Sequence, residues 1–361
     1  MRGTTFKWAN TLHQVRALIP GCLLLSADCS GPQYFMAPAG PAAQGLASLG
    51  WFVMLLFIAV TLLVWGFLIW LACRRHGSLE THQPVETGGG LRWILIGGIA
   101  IPAAVFSVVF IAATEVVSHF PLEAGADSQV EIQVSGKLWW FKAEYDADGD
   151  RAAFSVATEI HIPTDRAVTI DLVSDNVIHS FWIPKLHGKV DLVPGRTNRI
   201  RLQADQPGVY SGQCAEFCGL QHANMRLSIV AEAPEDYNAW LQAQAEPAAG
   251  SENDGTENEE TGGAGYGSEV VRRGAALFQD AACPGCHTIR GTPARGVLAP
   301  DLTHLASRRH IAGGMLPNNT ANLSAWVTRP QSLKPGSMMP DSDEFTGVQL
   351  SALVAYLQSL E

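Results

Sequence analysis

The chain has 361 residues, enough for two or three domains, with 47% hydrophobic content and a formal net charge of -10. That acidity excludes nucleic acid as a partner, because phosphate binding needs concentrated Lys and Arg, and it suits a basic partner protein instead. The apolar residues are concentrated in uncharged stretches of the first third, which is the pattern of a membrane protein with a large soluble part.

Residues 1–29 place Arg2, Lys7 and Arg16 ahead of a short apolar run from Ala17 to Leu25, the order of a secretory leader. Its end, Leu-Ser-Ala-Asp-Cys, offers Cys29 as a lipidation site, with simple cleavage and an uncleaved leader as the alternatives. Residues 46–73 and 92–118 then read as two transmembrane helices, each with an uncharged run longer than the roughly 20 residues a span needs. Arg74, Arg75 and Arg92 lie between them, so this loop is cytoplasmic and everything beyond Glu115 faces outward. In bacterial terms that is the plasma membrane, with the soluble domains on its periplasmic side.

Residues 127–235 change to short alternating segments such as Val168-Thr169-Ile170-Asp171-Leu172-Val173, punctuated by Pro194-Gly195 and Pro207-Gly208. They predict an all-β sandwich or barrel. Residues 245–267 are rich in Gly, Asn, Glu and Asp and read as a flexible acidic linker. Residues 268–361 form a further domain, with helices expected at Glu269 to Gln279 and Gly347 to Leu360.

Of seven cysteines, four fall in two close pairs. The first pair belongs to Gly212-Gln213-Cys214-Ala215-Glu216-Phe217-Cys218-Gly219-Leu220-Gln221-His222-Ala223-Asn224-Met225. Two thiols, an imidazole and a thioether form a soft ligand set, and the thioether favours copper over zinc. A disulfide or a zinc loop are the alternatives. A second imidazole has to come from elsewhere, and His179, before the aromatic pair Phe181-Trp182, is the best placed. His161 and His187 stand in no ligand-spaced cluster and read as strand or surface residues.

The second pair, Cys283-Pro284-Gly285-Cys286-His287, is a heme c attachment sequence: two thioether anchors and an axial imidazole from His287. A thioredoxin-like redox pair is the alternative, and nothing around it reads as a βαβ unit. The sixth ligand is expected in Lys334-Pro335-Gly336-Ser337-Met338-Met339-Pro340. His304 and His310 read as surface or propionate-side residues.

These residues resemble subunit II of the heme-copper cytochrome c oxidases over roughly residues 31–240, and the last domain resembles class I cytochrome c. Joined in one chain they are similar to the caa-type oxidases. The resemblance implies a transmembrane hairpin, a cupredoxin-like Greek-key barrel and an all-α cytochrome domain. It implies a dinuclear copper centre bridged by Cys214 and Cys218, with His179 and Met225 completing one copper and His222 and the Glu216 carbonyl the other. It assigns the Glu216 side chain to magnesium at the interface with the catalytic subunit, for which a solvated loop acid is the alternative, and Trp139 to electron entry, for which the alternative is an aromatic strand residue. Because the distal Met of that fold precedes Pro, Met339 is preferred over Met338, and Pro300 orients His287. Glu86 matches weakly an acid at a proton-channel entrance, against a plain loop Glu.

The function this implies is electron entry to a respiratory terminal oxidase. A soluble donor such as cytochrome c reduces the heme, the heme reduces the copper pair, and a polytopic catalytic subunit, with further subunits, reduces oxygen to water with proton translocation. This chain cannot hold the oxygen site, since neither predicted span contains a histidine.

Overall fold

The structure, a computed structural model, describes residues 31–74, 90–118, 120, 130–248, 269–342 and 344–361. Cys29, Glu86 and most of the predicted linker lie outside the described residues.

Two long apolar helices come first: α1 (Pro41–Arg74) and α2 (Gly90–Ser118), the second containing a π-helical stretch over Ile96–Ala100. At 34 and 29 residues they are about 51 and 44 Å long at 1.5 Å per residue, and both exceed the ~30 Å hydrocarbon core of a bilayer. Apart from Ala42, Ala43 and Ala47 near the start of α1, which are buried, their mostly apolar side chains are largely exposed, Leu62 at 67% and Phe110 at 68% among them. A surface of that kind suits lipid or partner helices and not water. The two run as an antiparallel hairpin, with Gly45 against Val116 near one end and Phe67 6.2 Å from Trp93 near the other.

The hairpin is tied to the β-rich part of the chain through the residues just before α1. The Ala39 amide donates to the Lys185 carbonyl at 2.7 Å, and the Ala39 carbonyl accepts from the Asp205 amide at 2.9 Å. A Cβ at Gly40 would stand 2.2 Å from the Gln203 carbonyl oxygen, so only glycine passes there.

Residues 130–232 fold as two five-stranded sheets. The first has the order β3 (Phe154–Ala157), β2 (Trp140–Tyr145), β1 (Glu131–Lys137), β5 (Val168–Ser174), β8 (Asn198–Leu202). The second runs β4 (Glu159–Pro163), β10 (Arg226–Glu232), β9 (Gly208–Cys214), β6 (His179–Trp182), β7 (Val190–Leu192). The pairs β1 with β5 and β4 with β10 are parallel and the rest antiparallel, which makes the crossovers of a Greek-key sandwich. The period-two pattern explains the packing: Val168, Ile170 and Leu172 of β5 face Ile132 and Val134 of β1 in one core with Phe141, Phe181 and Ile229. Phe141 and Phe181 meet edge to face at 6.2 Å, and full burial of each contributes about 1.5–3 kcal/mol. A helix, α3 (Pro234–Ala245), closes the far end by stacking Trp240 on His161 at 4.0 Å.

The last domain is helical. Its α4 (Glu269–Asp280) and α7 (Gly347–Gln358) cross so closely that a Cβ at Gly274 would fall 2.0 Å from the Ala352 carbonyl oxygen. Short helices α5 (Thr320–Thr328) and α6 (Pro330–Leu333) lie between them, and α7 opens on a Thr346/Gln349 capping box. Phe278, Ile289, Leu305, Leu323, Leu353 and Tyr356 form its core.

The helical domain is seated directly on the sandwich. Ala245, where the linker is expected to begin, is instead the last residue of α3, and Ala248 is buried in the helical domain's core. Arg290 donates to the carbonyls of Gln244 at 2.6 Å and Ala245 at 2.7 Å, so a guanidinium from one domain satisfies the helix end of the other.

Candidate metal centres

The turn between β9 and β10 carries the first centre, because strand pairing fixes both of its ends. The Cys214 amide donates to the Met225 carbonyl at 2.9 Å, which closes the loop so that its first and last ligands face each other. His179 arrives from the neighbouring strand: β6 pairs with β9 through Phe181 opposite Cys214. The ligand atoms of His179, Cys214 and Cys218 all lie within 4.8 Å of one another, and all three residues are buried.

The remaining predicted ligands join them. The Cys214 and Cys218 sulfurs are 3.8 Å apart, far beyond the ~2.05 Å of a disulfide. His179 Nδ1 is 3.9 Å from the Cys214 sulfur, His222 Nδ1 3.6 Å and Met225 Sδ 3.9 Å from the Cys218 sulfur, and the Glu216 carbonyl 3.2 Å from the Cys214 sulfur. Met225 is fully buried. Two sulfurs flanked on either side by an imidazole, with a thioether and a carbonyl completing the set, fit two soft metal ions sharing both thiolates. The Cys214 thiol is shifted well down, first by its hydrogen bond with Cys218, and Cys218 is shifted up by the same pairing. Thiolate character is what metal ligation requires.

Asn176 was not visible as a site residue in the sequence. Its Oδ1 lies 2.8 Å from His179 Nε2, which turns Nδ1 toward the sulfurs. The Glu216 carboxylate is half exposed and 3.7 Å from Lys189 Nζ. His161 is a strand residue as expected, held between Glu159 and Glu232. His187 is buried rather than at the surface, edge-on to Phe120.

The second constellation sits on the short turn after α4. Cys283 and Cys286 are free, and His287 Nδ1 meets the Pro300 carbonyl at 2.7 Å, the orienting role expected of Pro300. That contact leaves Nε2 as the ring's remaining ligand atom. Burial pushes the His287 pKa down, with the Pro300 carbonyl opposing, so the ring is held neutral as ligation requires. Met338 is 69% exposed whereas Met339 is half-buried, and the Met339 carbonyl accepts from Gln331 Nε2 at 2.6 Å. The residues present thus fit a covalently held heme. His304 departs from the surface reading: it is buried, with Nε2 3.0 Å from the Glu246 carbonyl.

Trp139 lies between the two constellations. Its indole Nε1 donates to the Cys218 carbonyl at 2.9 Å. A Cβ on Gly219 of the copper loop would lie 3.4 Å from one edge of the ring, and a Cβ on Gly336 of the Met339 loop 3.4 Å from another. It is 8% exposed, covered by the helical domain.

Comparison with known proteins gives the same division. Residues 130–233 match the family described as "Cytochrome C oxidase subunit II, periplasmic domain", and residues 271–361 match "Cytochrome c". A protein of Alkalihalophilus pseudofirmus named cytochrome c oxidase subunit 2 is 32% identical over 351 residues, covering 94% of each chain. The chain belongs to the cytochrome c oxidase subunit 2 family. Cytochrome c oxidase subunit 2 of Bacillus subtilis, 26% identical, is also matched over 96% of each chain, so that match runs through the cytochrome c region as well as the copper domain. Among solved structures, the periplasmic domain of subunit II of cytochrome oxidase of Bradyrhizobium japonicum is 26% identical, covers 33% of this chain and 94% of its own, and superposes with a TM-score of 0.30. Within this subunit 2 chain, the copper-domain match ends at the last strand of the sandwich and the cytochrome match begins inside α4.

Proposed function

We infer that this subunit 2 chain receives electrons from a soluble donor such as cytochrome c at a heme held by Cys283, Cys286, His287 and Met339. It passes them through Trp139 to a dinuclear copper centre held by His179, Cys214, Glu216, Cys218, His222 and Met225. A polytopic catalytic subunit then takes them to reduce oxygen to water with proton translocation. The observation that carries this reading is the position of Trp139, whose indole donates to the copper loop and whose ring lies beside both Gly219 of that loop and Gly336 of the Met339 loop.

When bound, the heme and the copper pair each supply reversible one-electron chemistry. The chain's own residues do the rest. The Cys214 and Cys218 thiolates would hold the copper pair, and Asn176 fixes the ring of His179 so that little would rearrange when charge changes at the site. Burial of His179, Cys214 and Met225 excludes water from the centre. The Glu216 carboxylate, exposed beside Lys189, is a hard oxygen ligand that suits magnesium shared with the catalytic subunit. The arginines between the two spans favour an outward, periplasmic placement of both soluble domains.

Electron paramagnetic resonance of the oxidised full chain tests the copper assignment. A multi-line spectrum from an unpaired electron shared by two coppers is expected, and a four-line spectrum of a single copper would overturn it.

A further inference from the structure

Lys334 is a lysine where the fold has no evident need of one. It is 3% exposed, and an ammonium taken out of water to that degree must be fully hydrogen-bonded to be tolerated. Its three N–H groups are matched by three carbonyls: Ala312 at 2.8 Å, Trp139 at 2.9 Å and Asn224 at 3.2 Å. The first belongs to the cytochrome domain. The other two belong to the copper domain, one from the indole-bearing residue and one from the residue next to Met225. The chain around these acceptors is shaped for close approach. Ala312, Gly313 and Gly314 follow one another at φ of 56°, 71° and 82°, and a Cβ on Gly313 would stand 2.5 Å from both Lys334 Nζ and the Trp139 carbonyl oxygen.

Two further bonds bring the same segments together. Gln221 Nε2 donates to the Pro335 carbonyl at 2.9 Å, and the Arg226 amide donates to the Gly313 carbonyl at 3.0 Å. Lys334 thus places a buried ammonium in a contact joining the Met339 loop, the copper loop and Trp139.

We propose that Lys334 is the positioning residue for internal electron transfer in this chain: bonded to Trp139, Asn224 and Ala312, it clamps the Met339 loop onto Trp139 and holds the heme-bearing domain in the transfer-competent arrangement. The proposal rests on the electron route from heme to copper pair through Trp139. In the step it governs, one electron leaves the reduced heme and enters the oxidised copper pair, and no covalent bond forms or breaks. The observed rate scales with the fraction of molecules in the docked arrangement, so weakening the clamp lowers the rate by that fraction and leaves both redox centres as they were.

The test uses the full chain in its oxidase complex. The heme is reduced by a light flash from a ruthenium photoreductant, and arrival of the electron is followed in the near-infrared band of the copper pair. Lys334→Met, which keeps the length and removes the charge, is expected to slow this transfer by roughly tenfold or more. The sulfur-to-iron charge-transfer band, the heme potential and the copper paramagnetic resonance spectrum should be unchanged, and amide exchange should rise at residues 310–316 and 224–228. Transfer within about twofold of the unmodified chain, with those signatures intact, overturns the proposal.

If Lys334→Met also loses the sulfur-to-iron band, Gly314→Val decides. This variant keeps Lys334, and its side chain would press on Arg226 and Thr158 across the same contact. Slowed transfer with an intact band supports the clamp, and unaltered transfer rejects it. The unmodified chain reports separately on the electron route itself: if no electron reaches the copper pair after the flash, that route fails, and the clamp with it.

Discussion

Asn176, Met338 and Met339 show how single side chains decide the chemistry of otherwise similar loops. Asn176 touches neither sulfur, yet its 2.8 Å contact with His179 Nε2 selects which ring nitrogen faces the metal site. Replacing Asn176 with Ala should lower copper affinity by roughly 10- to 100-fold, measured by competition with a copper chelator, with the sandwich still folded. At the heme, Met339→Ala is expected to abolish the sulfur-to-iron charge-transfer band, whereas Met338→Ala should retain it, because the Met338 side chain is exposed to solvent. Persistence of the band in Met339→Ala would transfer the axial role to Met338.

At the scale of elements, α3 and β4 do more than close the sandwich. On β4, His161 is stacked on Trp240 of α3, lies 3.0 Å from Glu232 and 3.6 Å from Glu159, and Glu159 also accepts from the Arg309 amide of the cytochrome domain. Burial alone would lower the His161 pKa, but the hydrogen bonds its ring donates to the Glu159 and Glu232 carboxylates, with their charges, outweigh it and hold the pKa above its ordinary value. A raised folded-state pKa means that this contribution to stability is fully present below the unfolded value of about 6.5 and is lost as pH rises through the folded value. Thermal unfolding followed across that window should show a decline that His161→Gln removes, and an identical slope in the variant would reject the assignment. At the other end of α3, Arg290→Met leaves the carbonyls of Gln244 and Ala245 without their donor. A cost of about 1–3 kcal/mol is expected in denaturant unfolding.

Over the whole molecule, docking changes where an outside donor can enter. Trp139 is covered by the cytochrome domain, so a soluble donor has no direct approach to it in this arrangement. Stopped-flow mixing of the oxidised full chain with reduced cytochrome c should therefore reduce the heme first and the copper pair after it. Simultaneous appearance of both would contradict entry through the heme. The modular order, the two apolar spans, the alternating strands and the two cysteine pairs with their neighbouring His and Met residues were legible in the sequence, because composition, periodicity and close spacing are local properties that the chain displays without folding. His179 was within reach of that reading as the best-placed second imidazole, although only the pairing of β6 with β9 puts its ring beside the sulfurs. What lay outside it were Asn176 turning His179, a local contact that no spacing rule marks, and contacts between residues far apart in the chain: Arg290 ending α3, and Lys334 meeting Trp139 across a separation of 195 residues. Nothing in the spacing of Lys334-Pro335-Gly336 marks its lysine for burial. Only the tertiary structure could decide that, because the desolvation of an ammonium and the carbonyls that compensate it exist only once the two domains have met.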